Sequence, residues 1–253
     1  MNRDPRGPSG DFDPDGWDRM ARGQAGGAAW IFERAIERVA ELAGSPSPGG
    51  SRRLLDVGCG TGRLATKLVR AGWEVTALDR DSLMVRRACA WDASSVDVGF
   101  RSVVTADATA LPFRNATFAR ITASSLLGCL DDADTFLAEA YRCLEPDGAL
   151  ILTATNRDSW LLKLNHALPR AWVVPKSAGP RQKFTTYSFG ELRGRLHGAG
   201  FRVDPCHAFN FVVHAGPILF PPRSVARGLD SFGVNGALRR RARNLVAVAW
   251  KPA

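Results

Sequence analysis

Leu54-Leu55-Asp56-Val57-Gly58-Cys59-Gly60-Thr61-Gly62-Arg63 is the stretch on which the fold of this 253-residue chain turns. A short apolar run passes through an acid into alternating glycines, and a helical pattern, 62–71, opens directly out of them. Glycine tolerates left-handed backbone angles and lets the main chain approach a ligand closely. The first turn of the following helix offers unpaired N–H groups. The next apolar run, Glu74-Val-Thr-Ala-Leu-Asp79, ends in a second carboxylate. It lies about 20 residues past the loop, where an acid accepts hydrogen bonds from ribose hydroxyls. Together these features describe an adenosine-type ligand lying across strand ends.

A dinucleotide fingerprint, G-x-G-x-x-G, does not fit. Counting from Gly58 and Gly60, its third glycine falls on Arg63. The loop reads Asp56-x-Gly58-x-Gly60-x-Gly62 instead. A carboxylate before the first glycine suits a ligand bearing an ammonium group better than one bearing a pyrophosphate, which argues against NAD.

Outward from the loop, short apolar runs alternate with amphipathic ones. Strands are predicted at 52–57, 74–78, 100–105, 118–123 and 149–154, with helices at 62–71, 82–90 and 134–144. This order implies a parallel sheet covered on both faces. Pro146-Asp147-Gly148 supplies a turn before the fifth strand. Further on, 188–198 predicts a helix, 201–211 a strand and 244–250 a final strand. Before the loop, Trp30, Ile31, Ala35, Ile36, Val39, Ala40 and Leu42 recur at helical spacing between Gly23 and Ala43. They predict a leading helix outside the main sheet. Residues 1–18, rich in Gly, Pro and Asp, predict poor order. The division is therefore 1–50 for the start and its helix, and 51–253 for the main domain. That domain carries a cap insertion near 157–186 and a long connection near 212–243.

Charged residues at 23% and apolar residues at 45% are ordinary globular proportions, which excludes a disordered or collagen-like chain. The five cysteines, Cys59, Cys89, Cys129, Cys143 and Cys206, never form C-x-x-C. Neither a disulfide framework nor a zinc site is indicated, and a reducing cytosol fits. No apolar h-region opens the chain, and no apolar run approaches the about 20 residues of a membrane span. A soluble cytoplasmic protein is expected. The net charge of +9 is uneven: residues 1–156 carry 18 Lys and Arg against 21 Asp and Glu, and residues 157–253 carry 16 against 4. A basic second half suits an anionic partner, whether nucleic acid, membrane surface or acidic substrate, but is read first as a solvated Arg-rich surface.

LDVGCGTG at 55–62, LD at 78–79, ADATALPF at 106–113 and CLEPDGALILTA at 143–154 resemble the class I S-adenosylmethionine-dependent methyltransferases. The resemblance is closest to the small-molecule group that includes ubiquinone and menaquinone biosynthesis enzymes. It covers roughly 52–156 and, more loosely, YSFGELRGRLHGAGF at 187–201. It implies an α/β, Rossmann-like, seven-stranded and mostly parallel sheet with helices on both faces and the last strand antiparallel. It implies S-adenosyl-L-methionine as cofactor, with Asp56 and Gly58, Cys59, Gly60 and Gly62 holding its methionine part, Cys59 through its backbone. Asp79, with Arg80 beside it, would hold the ribose; Asp107 and Ala108 would bracket the adenine; Ser124 would line the sulfonium side.

The chain also departs from that group. Where its members often carry Glu-His after the fourth strand, this chain has Gly128 and Cys129, and Ala119 replaces an acid at the strand's start. The catalytic base is therefore unassigned. Of His166, His197, His207 and His214, the first and last stand in or beside the two segments expected to cover the strand ends. Those segments combine apolar residues such as Trp160 and Trp172 with Lys and Arg. They suit a lipophilic small-molecule acceptor, peripheral contact with an anionic membrane, or a lid packed on the cofactor domain. Asp131, Asp132 and Asp134 read as helix-start caps rather than a metal site. O-methylation of a lipophilic or phenolic acceptor is expected, with C- or N-methylation next. A nucleic-acid methyltransferase and a non-catalytic cofactor-binding member are the alternatives. Against the former, no Asn/Asp-Pro-Pro-aromatic motif follows the fourth strand.

Overall fold

The computed structural model describes residues 28–93, 100–159, 185–205, 207–209 and 242–253. The segment 1–18, nearly all of the cap insertion and nearly all of the long connection lie outside the described residues. So do Trp160, Trp172, His166, His214 and Cys206.

Helix α1 (Ala28–Ala43) precedes β1 (Arg53–Val57), α2 (Arg63–Arg70), β2 (Glu74–Asp79), α3 (Ser82–Ala93), β3 (Ser102–Thr105) and β4 (Phe118–Ala123). Then come α4 (Ala133–Cys143), β5 (Leu144–Thr155), α5 (Phe189–Gly198), β6 (Arg202–Val203), β7 (His207–Phe209) and β8 (Asn244–Trp250). The sheet order is β3-β2-β1-β4-β5-β8-β6, with β7 also paired to β8. From β3 to β5 every pairing is parallel; β8 runs antiparallel to β5, β6 and β7. The expected antiparallel last strand is thus present, inserted between β5 and the β6/β7 edge.

Strict alternation along the strands builds a core on each face. Leu55, Val57, Leu78, Leu150 and Leu152 pack with Phe136 and Leu137 of α4 and Leu192 and Leu196 of α5. Leu54, Val75, Ala77 and Ile151 pack on the other face with Ala35 and Val39 of α1 and Leu68 of α2. Four-residue spacing puts Ala35, Val39 and Ala43 on one stripe of α1, all buried. The leading helix is therefore part of the layer that covers the sheet, and Trp73 Nε1 donates to Gly44 O at its end (2.7 Å).

Two expected elements differ. The single strand over 201–211 is broken into β6 and β7, because Pro205 has no N–H for the ladder and Asp204 turns its carboxylate to accept from Trp250 Nε1 (2.7 Å). Eight strands thus occupy seven sheet positions. β5 begins earlier than expected: Leu144 pairs with Phe118, residues 145–148 bulge out, and pairing resumes at Ala149 opposite Arg120. Asp147, at φ 59, makes the turn inside that bulge.

Candidate functional site

The ends of β1, β2 and β4 meet at the glycine loop. Gly58, Gly60 and Gly62 adopt φ 70, 54 and 82, left-handed values that glycine accepts at no steric cost. Gly58 N and Cys59 N both donate to Leu78 O (2.8 and 2.9 Å), and Gly62 N donates to Cys59 O (3.0 Å). The loop is thereby tied to the end of β2. Neighbours press it from two sides: a Cβ on Gly58 would stand 2.9 Å from Leu126 Cδ1, and one on Gly62 would stand 3.2 Å from Phe100 Cζ. Over Gly60 nothing among the described residues lies within 4 Å of such a position, so none of them closes the loop there.

Both carboxylates predicted from the motif converge on this loop. Asp79 accepts from Gly60 N through Oδ2 (2.9 Å) and from Asp81 N through Oδ1 (3.0 Å). Burial raises its pKa above the ordinary carboxylate value, these two N–H bonds pull it back, and the charge of Asp81 adds to the rise. Asp56 is 1% exposed, and Thr122 Oγ1 donates to its Oδ1 (2.7 Å). Its other oxygen, Oδ2, is buried without a hydrogen-bond partner. Burial pushes the Asp56 carboxyl up to about 7; the Thr122 bond opposes the rise, the Asp79 charge adds to it and the Ala65 N–H opposes it.

The remaining predicted residues follow the ends of β2, β3 and β4. Arg80 is exposed beside Asp79. Ala106 N donates to Asp79 O (3.1 Å), joining the segment after β3 to the end of β2. In that segment the exposed Asp107 accepts from Thr109 N and Oγ1 (both 2.8 Å), bonds that hold its carboxyl below the usual range. The Ala108 side chain is buried in the core with Leu111. Ser124 follows β4, half-buried; next to it Ser125, at φ 60, donates its N–H to Thr153 Oγ1 (2.8 Å).

The cysteines near the loop are poor nucleophiles and poor bases. Burial drives the Cys59 thiol well above its ordinary pKa, and Asp56 and Asp79 add to the rise. Cys129, in the turn Leu127–Cys129, is pushed up to about 11, chiefly by burial. His197 lies on α5 with both ring nitrogens engaged, Nδ1 with Phe201 O (3.1 Å) and Nε2 accepting from Arg193 Nε (3.2 Å). His207 is in β7, as expected for a strand residue. Two of the three acids after Leu130 divide their work: Asp132 caps α4 by accepting from Thr135 N, and Asp134 pairs with Arg195 (2.6 Å).

Thr122, Leu126 and Thr153 were missed from the sequence. Thr122 and Thr153 each put a hydroxyl into an otherwise apolar run, a signal legible only once strand register says what they face. Arg142 was missed too: it donates to Leu111 O and Phe113 O (3.0 and 2.7 Å) and fixes the segment after β3 from α4.

Residues 55–152 match the family model described as Methyltransferase domain. That stretch of the chain is similar to a methyltransferase domain. Among curated proteins, the O-methyltransferase resE of Aspergillus sclerotiorum is 33% identical over 179 residues, covering 68% of this chain and 63% of that one. The ubiquinone biosynthesis O-methyltransferase of Vibrio cholerae is 30% identical over 137 residues, covering 53% of this chain and 55% of that one. The chain thus spans less than two thirds of these relatives' lengths. A SAM-dependent methyltransferase from Thermotoga maritima shares the fold, with a TM-score of 0.64 at 20% identity over 94% of this chain and 95% of that one. S-adenosyl-L-methionine is the cofactor that a methyltransferase domain of this fold implies. The residues present fit it on two observations: the face over Gly60, which none of the described residues closes, leaves the backbone approachable, and the orphaned Asp56 Oδ2 is an acceptor suited to an ammonium group.

Proposed function

We propose that the protein transfers a methyl group from S-adenosyl-L-methionine to a small acceptor, an oxygen on a lipophilic or phenolic molecule in the first instance and carbon or nitrogen in the second. The observation that carries the proposal is the buried Asp56 carboxyl, with one oxygen unpaired, beneath a glycine loop tied to Asp79 in a stretch similar to a methyltransferase domain. Both relatives described above are O-methyltransferases by name, which supports oxygen as the acceptor atom.

The cofactor supplies an electrophilic methyl on a sulfonium. Asp56 and the Gly58–Gly62 loop, with Cys59 contributing its backbone, hold the methionine part. Asp79 and Arg80 take the ribose, Asp107 and Ala108 flank the adenine, and Ser124 lines the sulfonium side. In-line displacement needs above all that nucleophile and methyl be held in attack geometry. Among the described residues the groups nearest the usual base position do not take up a proton at neutral pH: Cys129 keeps its own, and position 128 is glycine. An acceptor that ionises by itself, as phenols do more readily than alcohols, fits such a site. Cys59, Cys89, Cys129 and Cys143 are free thiols, which suits the cytoplasm. No helix among the described residues is long and apolar enough to cross a membrane.

Methyl transfer from labelled S-adenosylmethionine into a host extract, fractionated into organic, aqueous and macromolecular pools, tests this. Label should enter the organic pool and vanish with Asp79→Ala. Label in macromolecules that is lost on nuclease treatment would replace this reading with a nucleic-acid methyltransferase drawing on the basic second half.

A further inference from the structure

We propose that Thr122 is a positioning residue for Asp56: its hydroxyl holds Oδ1 so that the buried Oδ2 is the carboxyl's unpaired oxygen, and the ammonium end of the cofactor displaces a proton that Asp56 carries in the free protein. This rests on the cofactor assigned above. Asp56 and Thr122 stand opposite each other in register on the parallel strands β1 and β4, 2.7 Å apart through Oδ1 and Oγ1, with relative exposures of 1% and 0%.

A carboxylate so deeply buried, with one oxygen unpaired, is a costly charge, and such a group holds its proton instead. The neighbouring titratable groups favour the neutral form. Asp79 acts on Asp56 from the end of β2 with a like charge, and the Cys59 thiol in the loop is uncharged. From α2 the Ala65 N–H and from β4 the Thr122 hydroxyl favour the ionised form. The two tendencies place the balance near neutrality, consistent with a carboxyl pushed up to about 7.

Because Oδ1 accepts from Thr122, the proton sits on Oδ2. When an ammonium group occupies the site, the Oδ2–H bond breaks, the proton passes to solvent, and the resulting carboxylate pairs with the ammonium. One proton leaves per ligand bound. Binding therefore strengthens as pH rises through the Asp56 value and levels off above it. Threonine is specific in this role: valine has its shape without the donor, and serine keeps the donor.

The test is calorimetric titration of S-adenosylhomocysteine, whose ammonium stays protonated throughout, between about pH 5.5 and about pH 8. Below the midpoint, affinity should weaken about tenfold per pH unit, with close to one proton released per ligand. The proton count is read from the dependence of binding heat on buffer ionisation enthalpy. Thr122→Val should move the midpoint upward, and Thr122→Ser should return it. A ligand that binds with no proton release across this range overturns the inference and leaves the methyltransferase reading standing. So does a Thr122→Val protein with the wild-type midpoint. If Thr122→Val does not fold, the proton count of the wild-type protein decides by itself. Failure of the ligand to bind at any pH overturns the cofactor assignment and this inference with it.

Discussion

Gly58 and Gly60 share a left-handed backbone and differ in what surrounds them, so the same substitution separates two kinds of cost. A Cβ at Gly58 meets Leu126 Cδ1 at 2.9 Å on top of the strain of φ 70. At Gly60 no described residue lies within 4 Å and the strain alone applies, roughly 1–2 kcal/mol. Gly58→Ala should therefore lower the thermal midpoint more than Gly60→Ala. Gly60→Ala should keep the fold yet weaken cofactor binding about tenfold or more, because its methyl fills the space through which a ligand approaches. Thermal melts with and without S-adenosylhomocysteine check both, and equal losses of stability in the two variants would contradict the packing argument. The two acids were legible at this scale, since Asp56 and Asp79 each stand where an apolar run meets a turn. Thr122 was not, because its importance comes from lying opposite Asp56 across 66 residues of chain.

Helix α5 shows what local sequence can specify. Ser188 accepts from Glu191 N (3.2 Å) while its own N–H donates to Glu191 Oε2 (3.4 Å), a reciprocal cap written in the spacing S-x-x-E. Ser188→Ala should cost about 1 kcal/mol, read as a fall in the denaturation midpoint. Cofactor affinity should stay unchanged, since α5 packs on the sheet face opposite the one that buries α1 and α2. Elements closed by such short-range bonds, or by the glycine turn after β1, were readable in advance. β6 and β7 were read as one strand because alternation alone does not say where a ladder is interrupted. Pro205 was a local sign of the interruption, but its other half depends on Trp250, 46 residues away, drawing the Asp204 carboxylate to its indole. The early start of β5 has the same origin, in the pairing of Leu144 with Phe118 rather than in anything local to Pro146.

Across the whole molecule, the antiparallel edge is joined to the parallel strands by β8. β8 is paired to β5 along seven residues and is the partner of both β6 and β7. A chain ending before Asn244 should lose its cooperative thermal transition, followed by circular dichroism, although every residue assigned to the cofactor lies upstream of that point. Retention of a sharp transition in that fragment would show that β1 to β5 form an independent unit. The general α/β order was evident from alternating strands and helices, whereas the basic half, 16 Lys and Arg against 4 Asp and Glu, lies largely in segments outside the described residues. The place of β8 also orders events during synthesis. β5 is finished at residue 155, and its neighbour is not translated until residues 156–243 have been made. At about 5–20 residues per second, the edge from Leu150 to Ala154 waits roughly 4–18 s for its partner. For that interval the nascent chain presents an apolar strand edge at the ribosome, open to chaperones and to other nascent chains.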